Sequence, residues 1–266
     1  MDQGKIVRFK LKGQGVTGPA GTGAPRYGLH RGEYVRVIVA SPFEGMIVGT
    51  SEAYDVEDVQ LLVPCVPTKI VCVGLNYRDH AKELNMPVPN EPLIFLKPPS
   101  ALIGHGAEIV LPEMSDQVEH EAELAAVIGK RAKNVSPDEA HQYILGYTCL
   151  NDVTARDLQR KDVQFTRSKS FDSFCPMGPW IDMEFVPADQ KIQCLVNGET
   201  RQDSTLGELI HTPHALLSFI SHIMTLEPGD VIATGTPKGV SALSPGDECS
   251  VAIEGLGELK NRVIKE

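Results

Sequence analysis

The sequence predicts a mixed α+β fold that is strongly β-rich, and three observations predict it. Short pieces such as KIVRFKL, YVRVIVA, PLIFLKP and AEIVLP recur along the chain; each is a β-branched or aliphatic run of strand length. Two PGD turns, Pro228-Gly229-Asp230 and Pro245-Gly246-Asp247, each precede a β-branched run, VIATG and then CSVAIEG. That is hairpin or meander chemistry. No βαβ alternation and no G-x-G-x-x-G stand out, so a Rossmann nucleotide fold is not expected.

Taken in order, residues 1–66 differ in texture from residues 67–266, and a boundary is expected near residue 66. The stretch GQGVTGPAGTGAPRYG is rich in Gly, Thr and Pro and reads as a loop. VPCVPTK, residues 63 to 69, reads as an apolar linker with two prolines. KIVCVGLNY then reads as a buried strand ending at Gly74, and NMPVPNEP as a connecting loop. SPDEAHQYI predicts a helix starting at Ser136 with Pro137 in its first position. PHALLSFISHIMTL has helical length and spacing.

A chain of 266 residues can bury a sizeable core. Its net charge of −10 argues against a nucleic-acid surface, which needs a basic patch to release counterions. No run approaches the ~18 consecutive apolar residues of a membrane span. MDQGKIVRFKLKG lacks the apolar core of a secretory signal. The six cysteines are scattered with no C-x-x-C pair, which fits reduced, structural thiols. The expectation is a soluble cytoplasmic protein.

HEAELAAVIGK, residues 120 to 130, holds two glutamates at the head of an apolar run. As a helix, Glu119 and Glu123 share a face at i,i+4 and are solvated. As a strand, Glu121 and Glu123 share a face because the side-chain period is two. Two neighbouring carboxylates repel unless protonated or bridged by a cation, and such oxygen ligands suit Mg²⁺, Mn²⁺ or Ca²⁺. Asp152 offers a third acid at the end of the β-prone run Tyr147 to Leu150. Its rival, Asp157, falls where TARDLQ looks helical. Spacing alone leaves the helical and metal-binding alternatives open.

In NYRDHAKE, a helix would put His80 and Glu83 on one face at i,i+3, where a carboxylate-steered histidine can take a proton from water. A charged surface helix is the plainer alternative. His30, His105, His120, His141, His211, His214 and His222 show no ligand spacing and are read as structural. Lys97 in LIFLKPPS and Lys169 in TRSKSFD can face a carboxylate or an enolate in a site, although most lysines simply face water. TGTPKGV, Thr234 to Val240, has backbone donors for an anion but not P-loop spacing, and a tight turn is the alternative.

Together, VGLNYRDHAKE, FLKPPS, HEAELAAVIGK, GYTCLNDVTARDLQ, RSKSFDSFCPMGPWI, LVNGETRQ and GDVIATGTPKGV stand in the order seen in the fumarylacetoacetate hydrolase family. The chain resembles that family over about residues 67 to 266, with residues 1–66 resembling its small variable N-terminal domain. The resemblance implies a mixed β-sandwich roll, usually a homodimer. It implies a divalent cation, Mg²⁺ or Mn²⁺, on Glu121, Glu123 and Asp152. It implies a water-activating dyad, His80 and Glu83, on a short lid helix. Lys169 and Thr236 would line the site, and Arg156 and Gln159 would support it or contact substrate. Asn76 stands where the eukaryotic fumarylacetoacetase branch has an aspartate, which points to the branch of small acylpyruvases, decarboxylases and isomerases.

The implied substrate is a small 2-oxo acid. Hydrolysis of a C–C bond in an acylpyruvate-like 2,4-dioxo acid is expected first, because the dyad supplies a base. Decarboxylation or isomerisation of oxaloacetate or of 2-oxo-diene-dioic acids in aromatic catabolism is the second expectation. A non-catalytic metal- or ligand-binding protein on the same fold is the alternative of another class.

Overall fold

The computed structural model describes residues 4–12 and 24–266. The expected glycine-rich loop lies largely outside the described residues. Its last part does not: Arg26, Tyr27 and Gly28 belong to the strand Arg26–Arg31, where Gly28 pairs with Val37.

Two sheets pack face to face. Across the larger one, among the described residues, the order runs Gly49–Asp55, Tyr34–Ile38, Arg26–Arg31, Lys5–Leu11, Cys175–Asp182, Ile144–Asn151, Ala122–Ile128, Val231–Ala233, Ile70–Gly74, Leu93–Lys97. The smaller sheet orders Glu199–Thr205, Lys191–Val196, Glu248–Ile253, Gly257–Lys265 and Glu108–Leu111. This is the β-rich mixed architecture that the sequence predicts. The strand Lys5–Leu11 pairs with Cys175–Asp182, so the N-terminal strands continue the larger sheet.

The strand Ala122–Ile128 lies in the middle of the fold, and every residue in it is buried. Its alternation feeds two cores. Leu124, Ala126 and Ile128 face the cluster holding Cys194, Val251 and Leu259 of the smaller sheet. Ala125 and Val127 face the cluster holding Ile70, Cys72 and Leu150. A strand covered on both faces reads as a continuous apolar run, which is why its sequence also fits a helix.

The helix Pro213–Ile223 is capped by Thr212, whose side chain accepts from the Ala215 N–H, and carries proline at its start. Two expectations are corrected. Ser136 does not open an α-helix: only a single 3₁₀ turn, Ala140–Gln142, forms before the strand Ile144–Asn151 begins. The Ser136 hydroxyl bonds the Glu139 carboxylate at 2.7 Å, but too few residues remain to propagate a helix. The turn at Pro228-Gly229-Asp230 does not close a hairpin either. Val231–Ala233 is inserted between Ala122–Ile128, antiparallel, and Ile70–Gly74, parallel. All six cysteines are reduced and buried. Among the described residues, no helix is long and apolar enough to cross a membrane.

Candidate active site

Glu123 is the second residue of the strand Ala122–Ile128, and Glu121 sits in the short break after Val118–Glu119. Asp152 follows the last residue of Ile144–Asn151. Those two long strands pair antiparallel with Ala122 opposite Asn151, so the start of one lies beside the end of the other. The Asp152 N–H donates to the Glu121 carbonyl at 2.9 Å, and the Glu121 N–H donates to Asn151 Oδ1 at 2.9 Å. One oxygen from each of Glu121, Glu123 and Asp152 thereby falls within 4.8 Å of the others. The residues are 6, 1 and 1 % exposed. The strand alternative for HEAELAAVIGK is the one adopted.

Cations from separate elements surround this cluster. Lys97, the last residue of Leu93–Lys97, donates to Asp152 Oδ1 at 2.5 Å and to the Val153 carbonyl at 3.1 Å. Lys169, on the short helix Thr166–Lys169, donates to Glu121 Oε2 at 2.8 Å and Asp152 Oδ2 at 2.6 Å. Burial works against a charged Lys169, but the Asp152 and Glu121 carboxylates outweigh it and raise its pKa. Burial would likewise raise Glu121, yet Lys169 and Arg156 hold it well below the carboxylate range.

Glu123 differs. Its Oε2 accepts from the Gly235 N–H at 2.8 Å, and among the described residues no cationic side chain pairs with it. Burial first, then the charges of Asp152 and Glu121, push its pKa well up. A buried carboxylate facing two others without a cation of its own is the feature that a divalent ion would neutralise. The oxygen-only donor set fits Mg²⁺, Mn²⁺ or Ca²⁺.

The structure brings His80 and Glu83 together. His80 and Glu83 lie on the helix Arg78–Glu83, with His80 Nδ1 2.8 Å from Glu83 Oε2. His80 is 8 % exposed, so this is not a plain solvated surface helix. A single loop ties dyad to carboxylates. Gly235 holds Glu123, while the Gly239 N–H donates to Glu83 Oε1 at 3.1 Å. Gly235 has φ +96°, and a Cβ there would meet Asn76 Cβ at 2.9 Å. Only glycine fits that approach. Asn76 is bound wholly by backbone: its amide nitrogen donates to the Thr234 and His211 carbonyls at 2.7 and 2.9 Å, and its oxygen accepts from the His211 N–H at 2.8 Å. TGTPKGV is therefore the connecting loop of the site, with its Gly235 and Gly239 N–H groups donating to carboxylates.

Thr236 Oγ1 donates to the Ala122 carbonyl at 3.0 Å, between the two glutamates in sequence. Arg156 and Gln159 are brought to the same cluster. Arg156 donates from Nη2 to Glu121 Oε1 and from Nη1 to Gln159 Oε1, each at 2.5 Å, and from Nε to Glu119 Oε2 at 2.7 Å. Asp157 stays outside, accepting from Ser115 Oγ at 2.6 Å.

Two residues escape the sequence reading. Glu119, to which neither the strand nor the resemblance gives a role, is 7 % exposed and holds Arg156. Gln202, the last residue of LVNGETRQ, is fully buried against Thr236. The strand ETRQDST is polar throughout, so nothing in its pattern set Gln202 apart as the residue that is buried.

Fold and site together define a member of the fumarylacetoacetate hydrolase family: residues 69–264 match the family model described as Fumarylacetoacetate (FAA) hydrolase C-terminal, and the protein belongs to that family. Residues 5–64 match a second model, Rv2993c-like, N-terminal. The crystal structure of 2-hydroxyhepta-2,4-diene-1,7-dioate isomerase from Mycobacterium marinum is 40% identical, with a TM-score of 0.88 over 98% of both chains. Fumarylpyruvate hydrolase from Pseudomonas aeruginosa, solved in complex with Mn²⁺ and pyruvate, is 34% identical, with a TM-score of 0.72 over 78% of this chain and 92% of that one. The mitochondrial oxaloacetate tautomerase FAHD2A of Bos taurus is 43% identical over 220 residues, 78% of this chain and 70% of the relative.

Proposed function

We propose that the protein is a divalent-cation-dependent enzyme that hydrolyses a C–C bond in an acylpyruvate-like 2,4-dioxo acid. The observation that carries this reading is the His80–Glu83 pair joined through one loop to the buried Glu121, Glu123 and Asp152 cluster. A cation on that cluster, Mg²⁺ or Mn²⁺, supplies Lewis-acid polarisation of a 2-oxo acid.

The chain's own groups divide the remaining work. Glu83 accepts at His80 Nδ1 and sets the ring so that Nε2 is free to take a proton from water. Lys169, kept protonated by its carboxylate neighbours, stabilises negative charge that develops on the 2-oxo acid when the C–C bond breaks. Arg156 holds Glu121 in place and is itself held by Gln159, both of them contacting substrate, while Lys97 fixes Asp152 and Thr236 meets a substrate oxygen. The family resemblance adds a homodimer to this reading.

A second reading, isomerisation of a 2-oxo or 2-hydroxy-diene-dioic acid or tautomerisation of oxaloacetate, is favoured by the likeness to the isomerase over almost the whole chain and to the oxaloacetate tautomerase. It needs the same charge stabilisation and no attacking water.

One panel separates the two. Acetylpyruvate, fumarylpyruvate, oxaloacetate and a hydroxy-diene-dioate are each assayed after chelation and after Mg²⁺ or Mn²⁺ add-back. The hydrolase reading predicts acylpyruvate cleavage that chelation abolishes and metal restores. Tautomerisation without cleavage selects the second reading, and turnover surviving exhaustive chelation overturns the cation in both.

A further inference from the structure

Gln202 has no part in the mechanism above, yet it is fully buried on Glu199–Thr205 and its side chain reaches the strand that carries the glutamates. The Ala122 N–H donates to Gln202 Oε1 at 2.9 Å, and Gln202 Nε2 donates to the Pro237 carbonyl at 2.8 Å. A backbone N–H only donates and a carbonyl only accepts, so the amide orientation is fixed from both ends. His120 Nδ1, 3.0 Å from the same Oε1, must then be the donor, and its Nε2 faces Ser241 Oγ at 2.8 Å. The second amide proton goes to Thr236 Oγ1 at 2.8 Å.

Thr236 Oγ1 in turn directs its proton to the Ala122 carbonyl at 3.0 Å. A hydroxyl has one proton and two lone pairs. With the proton committed and one lone pair filled by Gln202, a single lone pair is left, and it can only accept. Thr236 follows Gly235, whose N–H binds Glu123, and the carbonyl it bonds belongs to Ala122, the residue between Glu121 and Glu123.

We propose that Gln202 is a positioning residue that locks Thr236 as a hydrogen-bond acceptor, so that the site selects a ligand presenting a hydroxyl: the enol tautomer of a 2-oxo acid over its keto form. This rests on the 2-oxo acid reading above. A keto oxygen opposite Thr236 sets lone pair against lone pair, whereas an enol O–H completes the set. Reversing Thr236 would leave the Ala122 carbonyl without its side-chain donor and displace the Gln202 donor.

The test compares glycolate, which carries a 2-hydroxyl donor, with methoxyacetate, its O-methyl ether without one. Binding of each is measured by calorimetry in Mg²⁺ to the full chain and to the Thr236→Ser, Thr236→Val and Gln202→Met variants. The wild type is expected to bind glycolate about tenfold tighter. Thr236→Ser keeps that ratio, Thr236→Val brings it to about one, and Gln202→Met reduces it by freeing the hydroxyl to rotate. A ratio near one in the wild type overturns the proposal. So does an undiminished ratio in Thr236→Val, which would mark a steric clash with the methyl group. An undiminished ratio in folded Gln202→Met overturns the role of Gln202. If Gln202→Met does not fold, Thr236→Ser, which keeps the bonds to Gln202 Nε2 and the Ala122 carbonyl, and Thr236→Val, which removes both, decide whether an accepting hydroxyl held there sets the ratio. Binding of neither ligand to the wild type overturns the 2-oxo acid reading together with this inference.

Discussion

Arg156 commits each guanidinium nitrogen to a different residue: Nε to Glu119, Nη2 to Glu121 and Nη1 to Gln159. Glu119 is itself held by Gln117 Nε2 at 2.6 Å, so the fork is fixed before any ligand arrives. Glu119→Gln keeps the shape and removes the charge. Arg156 then bears more strongly on Glu121, and Mn²⁺ affinity measured by titration is expected to fall about tenfold, as when an outer partner of a ligand is lost. Unchanged affinity would show that Arg156 does not govern Glu121. The period of two places Glu119 on the face of Glu121 and Glu123, so its burial was legible. Its purpose was not, because its partner stands 37 residues further along the chain.

At the scale of elements, Asp230 joins two central strands. Its carboxylate accepts from the Thr68 N–H and hydroxyl at 2.8 Å each, the Lys69 N–H at 3.1 Å, Lys69 Nζ at 2.5 Å and the Glu227 N–H at 2.8 Å. Those bonds fasten the entrance of Ile70–Gly74 to that of Val231–Ala233. Burial alone would raise its pKa, but the bonds from Lys69, Glu227 and Thr68 outweigh that and lower it. Asp230→Asn should cost about 3 kcal/mol, measured as a shift in the urea midpoint. Because the folded pKa is depressed, the stabilisation is complete above the unfolded value of about 4 and is lost as pH falls through the lower folded value. The gap between wild type and variant should therefore narrow below pH ~4. A gap independent of pH would refute the ionised role.

Strands such as Ile70–Gly74 and Glu108–Leu111 were legible because runs of β-branched residues end at glycine or proline. The helix expected at Ser136 failed because local start signals say nothing about the strand that begins at Ile144. The Pro228 turn misled for a similar reason: turn chemistry is local, while the pairing of Val231–Ala233 with strands far away in sequence is not.

For the molecule as a whole, the site exists because strand ends from distant parts of the chain meet at one place between two cores. Lys97, Asp152 and Lys169 arrive from three separate elements, Glu123 from the buried strand Ala122–Ile128 and Glu121 from the break just before it. Motif order exposed these residues, but geometry was needed to join them through residues 234–239 to the helix Arg78–Glu83. We propose residues 1–66 as a separate unit, although its strand Lys5–Leu11 is joined to the larger sheet. The central claim is that the buried triad holds a divalent cation. Electron paramagnetic resonance of Mn²⁺ titrated into the wild type and into Glu123→Gln tests it most directly. The account predicts one tightly bound Mn²⁺ per wild-type chain and binding weakened about 100-fold in the folded variant. Equal binding by both proteins, or none by the wild type, would contradict it.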